Sequence, residues 1–238
     1  MYTLNSRIRY SEVDREGFLT MTGLTNYFQD CSTFQSEDLN IGLSYLNKNN
    51  RAWILTSWQI VVERFPQLGE HVTVGTWASK FNGLYGNRNF ILKDSNDQTC
   101  AYANSIWIYM DMNRLRPVRL TNEITSPYSI EPPYPMNYEN RKITVPADCQ
   151  TQTVIPVLPS YIDTNNHMNN GQYIRIAESF LPNDFPIRQM RAEYKNSAHL
   201  GDLLVPKISQ EDSLFTVILA NKEGKIYATV EFKERKHI

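Results

Sequence analysis

The segment Asp163-Thr164-Asn165-Asn166-His167-Met168-Asn169-Asn170-Gly171 sets an acid, four amides and an imidazole within eight consecutive positions. Capping a helix start needs one such residue, and Asp or Asn suits the positive helix end. Six polar groups exceed that need. An acid, an amide and an imidazole can bind a water, orient it and move its proton. Backbone N–H groups at a helix N-terminus can stabilise an oxyanion. The chemistry on offer is hydrolytic. No serine nucleophile is signalled, because Gly42-Leu43-Ser44 does not complete a GxSxG elbow. His71, His167, His199 and His237 form no HExxH-like cluster, and Cys31, Cys100 and Cys149 contain no CxxC pair. No metal site is signalled. His71 and His199 read as solvated turn residues, and His237 lies in the tail.

The elements that must position this loop occur twice. The first half reads as a strand at 4–13 and a helix at 20–39, with Met21, Leu24, Tyr27, Phe28, Cys31, Phe34 and Leu39 at helical spacing. Thr20 or Thr22 can cap that helix. Strands follow at 52–64, 71–79, 84–94 and 99–111. Residues 122–150 carry Pro127, Pro132, Pro133, Pro135 and Pro146 and read as a linker. The second half repeats the order: a short strand at 152–158, the Asn-rich loop, a helix at 169–181, and strands at 188–197, 202–210, 213–220 and 225–233.

Residue matches support duplication. An offset of 149 places Asp14 on Asp163, Leu19 on Met168, Tyr27 on Ile176 and Gln29 on Glu178. An offset of 132 places Gly69-Glu70 on Gly201-Asp202 and Trp58–Arg64 on Met190–Asn196. An offset of 127 places Leu92 on Leu219 and Ala101 on Ala228. A long helix before an antiparallel meander packs when the sheet curls around it. The expected class is α+β, with domains at 1–121 and 151–238 and a linker at 122–150. The 238 residues amount to roughly 1.6 domains at about 150 each, which fits two small units.

Lys and Arg number 24 against 25 Asp and Glu, a net charge of −1. No global field draws the chain to nucleic acid or an anionic membrane. No stretch approaches the roughly 20 apolar residues of a membrane span, and the first residues hold no apolar signal core. The expected setting is a bacterial cytoplasm.

Asp163-x-Asn165-x-His167-x-Asn169-Asn170, followed by Tyr173-Ile174 and Glu178, resembles the catalytic loop of acyl-ACP thioesterases. Arg51 to Glu70, Val74-Gly-Thr-Trp-Ala78 and Ser105-Ile-Trp107 resemble that family's first half. The resemblance spans roughly residues 4–233. It implies two tandem hotdog domains forming a pseudo-dimer, and hydrolysis of the thioester between a fatty acid and acyl carrier protein, without cofactor. Carried over by position, Asp163, Asn165 and His167 are the catalytic candidates. Asp163 would activate water or attack the carbonyl, Asn165 would orient the reacting groups, and His167 would polarise the carbonyl or protonate the leaving sulfur. Asn169 and Asn170 would bind substrate. The first-half loop, Asp14-Arg15-Glu16-Gly17-Phe18, has Phe18 in the histidine's place and is expected to shape the acyl pocket instead.

One departure stands out. The plant enzymes carry a second glutamate in a Glu-Tyr-x-x-Glu-Cys context, where this chain reads Glu193-Tyr194-Lys195-Asn196-Ser197-Ala198. Glu178 or Asp163 could take that role, or Ser197 could hold a water; Glu178 reads equally as a solvent-facing helix residue. Leu24, Phe28, Phe34, Trp53, Leu55 and Trp107 are candidate tunnel walls and equally ordinary core. Arg114, Arg116 and Arg119, with Lys233, Arg235 and Lys236, could dock an acidic carrier or simply be a solvated face. The alternatives to the lead reading are an acyl-CoA thioesterase and a non-catalytic acyl-binding hotdog protein. Monomer and homodimer are both compatible with the sequence.

Overall fold

Apolar residues at Met21, Leu24, Phe28 and Cys31 recur at the spacing that puts them on one face of helix α1 (Met21–Asp38), and all four are buried. Thr20 is its cap: the Gly23 N–H donates to Thr20 Oγ1 at 3.0 Å. Phe28 meets Phe90 with ring centroids 5.1 Å apart, and burying such a side chain contributes about 1.5–3 kcal/mol. Phe34 falls off this face and is 44% exposed, so it walls no interior.

The computed structural model describes residues 1–235; Lys236 and His237 of the tail lie outside the described residues. The chain divides into two compact units. Unit 1 comprises Met1–Thr56 and Val62–Glu139; unit 2 comprises Ser57–Val61 and Asn140 onward.

Unit 1 contains β1 (Tyr2–Arg7), α1, a short α2 (Leu43–Lys48), most of β2 (Arg51–Val62), β3 (His71–Asn82), β4 (Tyr85–Asp94), β5 (Thr99–Asp111), β6 (Arg116–Pro117) and α3 (Asn122–Thr125). Its antiparallel sheet runs β1-β3-β4-β5-β2, with β6 on β5, and α1 packs on β3 and β1. The strand expected at 4–13 stops at Arg7. It gives way to a 3-10 turn at Tyr10–Glu12, which the Arg9 N–H and Nε close by donating to the Glu12 carboxylate.

Unit 2 contains β7 (Gln150–Thr151), β8 (Ile155–Pro156), a 3-10 turn at Pro159–Tyr161, α4 (Asn170–Glu178), β9 (Ile187–Tyr194), β10 (Leu203–Glu211), β11 (Leu214–Ala220) and β12 (Ile226–Glu234). Ser57–Val61 of β2 pairs with β9, and the order continues β12-β11-β10-β7, with β8 also on β10. Helix α4 packs on β12 and β11. Of the strand expected at 152–158 only β8 pairs, β7 lies just ahead of that range, and Pro159 opens the 3-10 turn that follows. Each unit is thus a helix against an antiparallel meander, the α+β hotdog arrangement.

The duplication is visible bond by bond. Leu92 pairs with Ala101 in unit 1 and Leu219 with Ala228 in unit 2, and a register shift follows both leucines. The segment expected as a linker is structured. Trp77 Nε1 donates to the Pro132 carbonyl (2.9 Å), and Tyr134 stacks on Tyr102. Arg191 donates to the carbonyls of Asn140 and Lys142 at 2.6 and 3.0 Å, while the Ile143 N–H reaches Glu193 (3.1 Å).

Candidate active site

The Asn-rich loop is held by its own acid. Asp163 Oδ1 accepts from the N–H groups of Asn165 (2.8 Å) and His167 (3.4 Å), and the Asp163 N–H donates to the His167 carbonyl (2.8 Å). Asn166 adopts φ of 59° at the bend, a conformation asparagine tolerates better than most residues. The loop closes with an Ile162–Met168 bridge and runs into α4. Asn169 Oδ1 caps that helix by accepting from the Gly171 N–H (2.8 Å). Among the described residues nothing accepts the Asn170 N–H that opens the helix.

Neighbouring segments fix the loop from outside. The Met168 N–H donates to the Ala198 carbonyl (2.9 Å) and the Ala198 N–H donates to Tyr173 Oη (2.9 Å). Tyr194 Oη donates to the Asn170 carbonyl (3.2 Å). Burial pushes the Tyr173 phenol up to about 12 and raises Tyr194 too, so both stay protonated hydrogen-bonding groups. The half-buried His167 imidazole is held below its ordinary value by burial first and by His199 second, against the opposing pull of Asp163. It is therefore neutral at pH 7 and able to accept a proton.

Unit 1 carries the same frame with different side chains. Asp14 Oδ1 accepts from the N–H groups of Glu16 and Phe18, both at 2.9 Å, and the Asp14 N–H donates to the Phe18 carbonyl (2.8 Å). The acid is therefore common to both loops. The four residues after it all differ, with Asn165 for Glu16 and His167 for Phe18 among them.

The remaining sequence candidates separate in space. The exposed Asn165 stands on the loop with His167. Asn169 is engaged as the helix cap, and Asn170 receives Tyr194 on its carbonyl. Glu178 ends α4, eight residues on from Asn170, a rise of about 12 Å away from the loop. Ser197 is exposed beside Ala198, and its hydroxyl has no hydrogen-bond partner among the described residues.

In unit 1, Leu24, Phe28 and Leu55 are core, and Trp107 donates to Ser105 Oγ (2.6 Å). Trp53, one of the expected walls, lines a cavity together with Tyr45, Leu46, Tyr109, Glu123 and Tyr128. Arg114, Arg116 and Arg119 are exposed after β5, and among the described residues none of the three forms an ion pair. Lys233 is exposed on β12 and Arg235 follows that strand.

His199 is the residue that sequence reasoning set aside. Its ring packs on His167, edge to face, with centroids 4.8 Å apart. The 132-residue offset, read back two positions from Gly69, would have placed it on Gln67.

Comparison with known proteins is decisive for the family. The model described as the acyl-ACP thioesterase N-terminal domain matches residues 1–128. The chain belongs to the acyl-ACP thioesterase family.

A chloroplastic palmitoyl-acyl carrier protein thioesterase of Arabidopsis thaliana is 30% identical to this family member over 134 residues, covering 53% of this chain and 32% of that protein. The chain spans about a third of the length of the first plant relatives it matches, 32% and 34%. Among solved structures, an acyl-ACP thioesterase from Bacteroides thetaiotaomicron superposes with a TM-score of 0.90 at 25% identity, covering 98% of this chain and 97% of that one. The 12:0-ACP thioesterase from Umbellularia californica has the same fold, with a TM-score of 0.86, 16% identity and coverage of 99% and 98%. Among the described residues no helix is long and apolar enough to cross a membrane, and no cluster of His, Cys, Asp and Glu could hold a metal ion.

Proposed function

We propose that this chain hydrolyses the thioester of a fatty acyl-ACP, releasing the free fatty acid and the carrier's thiol. The observation that carries the reading is the Asp163-Asn165-His167 loop, set at the start of α4 with a neutral imidazole. Family membership and the likeness to the Bacteroides thetaiotaomicron acyl-ACP thioesterase along nearly the whole chain support it.

The chemistry follows from the groups present. The Asn170 N–H and the positive end of α4 receive the carbonyl oxygen as it gains charge. Asp163, whose Oδ1 is engaged by the loop, offers Oδ2 to a water. Asn165 orients that water against the carbonyl carbon. The water oxygen forms the new C–O bond as its proton passes by way of Asp163 to the neutral His167, the C–S bond breaks, and the His167 imidazolium gives that proton to the departing sulfur. Unit 1, with Phe18 and Glu16 on the matching frame, serves the acyl chain. The exposed arginines Arg114, Arg116 and Arg119 receive the acidic carrier. A monomer supplies both units, and a bacterial setting follows the Bacteroides relative.

Turnover of a panel of acyl-ACP and acyl-CoA substrates tests the reading, using wild type, Asn165→Ala and His167→Ala. The expected result is a preference for acyl-ACP and at least about a hundredfold loss of kcat in His167→Ala. Equal or better turnover of acyl-CoA would move the assignment to a CoA thioesterase. Full activity of His167→Ala would remove the loop from the chemistry.

A further inference from the structure

The loop and the turn that follows it meet in both units. In unit 1 the meeting residues are Phe18 and Gln67, which form an isolated antiparallel bridge. In unit 2 the same two places hold His167 and His199, with rings 4.8 Å apart and inclined at 77°. The turns match in detail. Gln67-Leu68-Gly69-Glu70 and His199-Leu200-Gly201-Asp202 each place glycine at positive φ, 84° and 85°. Each closes with the acid's N–H donating to the first residue's carbonyl (3.1 Å), and each acid's carboxylate accepts from the first residue's N–H, at 2.7 and 2.9 Å.

A residue needed only to form this turn can be glutamine, as Gln67 is. Both facing positions are histidine only in the unit that also carries Asn165. His199 is braced as well: its Nδ1 lies 3.9 Å from Asp202 Oδ2, and Tyr227 Oη donates to that same oxygen (3.0 Å) from β12.

We propose that His199, braced by Asp202, is a positioning residue for His167, fixing the orientation of its ring and acting on its charge state. This rests on the thioesterase reading of the loop. The titratable groups that act on His167 are Asp163 in its own loop and His199 in the turn; Asp202 before β10 faces His199, and Tyr227 on β12 bonds Asp202. A protonated His199 at this range opposes protonation of His167. The His199 side chain is 60% exposed, so water screens this opposition without removing it.

The test is an NMR pH titration of the His167 ring in the full chain, with kcat and KM for acyl-ACP measured alongside. The variant is His199→Gln, the residue this turn already accommodates in unit 1. The expected result is a raised His167 midpoint, with the acid limb of the rate profile moving with it. In the same variant kcat is expected to fall at least about fivefold with KM little changed. His199→Phe, which keeps an aromatic edge, is expected to retain more of kcat than His199→Gln. An unmoved His167 midpoint, or an unchanged kcat, would overturn the proposal. The titration needs no substrate. A shifted midpoint in a protein whose wild type does not hydrolyse acyl-ACP would instead count against the thioesterase reading.

Discussion

Replacing Asp163 by asparagine and by alanine separates the two jobs given to its carboxylate. Oδ1 accepts two backbone N–H groups, one short at 2.8 Å and one long at 3.4 Å. A hydrogen bond to a charged acceptor contributes about 1.5–3 kcal/mol when sheltered, and less on an exposed loop where water substitutes. The long bond adds little. Asp163→Ala is therefore expected to cost about 1–2 kcal/mol of stability. Asp163→Asn keeps an oxygen at the same place and should cost about 0.5 kcal/mol.

If Oδ2 activates water, both variants lose about 10²–10⁴ in kcat. Asp14→Ala is the internal control. It removes two bonds of 2.9 Å from an equivalent loop, so it should destabilise at least as much while kcat stays within about threefold. Thermal unfolding and steady-state hydrolysis of one acyl-ACP measure both quantities. Asp163→Asn with a tenth or more of wild-type kcat would refute the base assignment and leave Asp163 as the holder of the loop. Asp14→Ala falling as far as Asp163→Ala would show that these losses report the frame and not the chemistry.

The His167 midpoint lies below its unfolded value of 6.5, so the unfolded chain takes up that proton more readily. Its contribution to stability is intact above pH 6.5 and is lost as pH falls through the folded value. The acid limb of kcat/KM should accordingly centre below pH 6.5, and a limb centred higher would contradict the neutral imidazole. Raising salt should increase KM for acyl-ACP but not for a carrier-free thioester, and a joint Arg114→Ala, Arg116→Ala and Arg119→Ala variant should flatten that dependence. A salt-insensitive KM would remove the arginines from docking. Ser197→Glu should change kcat by less than about threefold, because Ser197 faces solvent; a tenfold rise would place the water-activating base at that position.

Much of the fold was legible because its signals are local and periodic. The stripe from Met21 to Cys31 marked α1, and the matches of Leu92 with Leu219 and Ala101 with Ala228 landed on strand partners. The six-residue α2 escaped, since one turn and a half carries no periodicity. Of the strand expected at 152–158 only Ile155–Pro156 pairs, and Pro159 opens a 3-10 turn directly after it. At the site, the density of polar residues around His167 was readable, but His199 lies 32 positions away in sequence. Nothing in its immediate neighbours distinguishes it from a solvated turn residue. Its role depends on a ring contact that arises only when the turn folds against the loop. Glu178 entered through the resemblance, as the acid that follows Tyr173-Ile174.

The allotment of Ser57–Val61 to the second unit has a practical consequence. Cutting the chain between Glu139 and Asn140 does not liberate the half that carries His167. The released piece would lack the segment that pairs with β9 from Ser57↔Glu193 to Val61↔Gln189. It would present a raw strand edge, with Met190 and Ala192 losing cover. Such an edge seeks another strand and invites self-association. A split version should therefore stay soluble only when both fragments are produced together, with the first supplying the missing strand in trans.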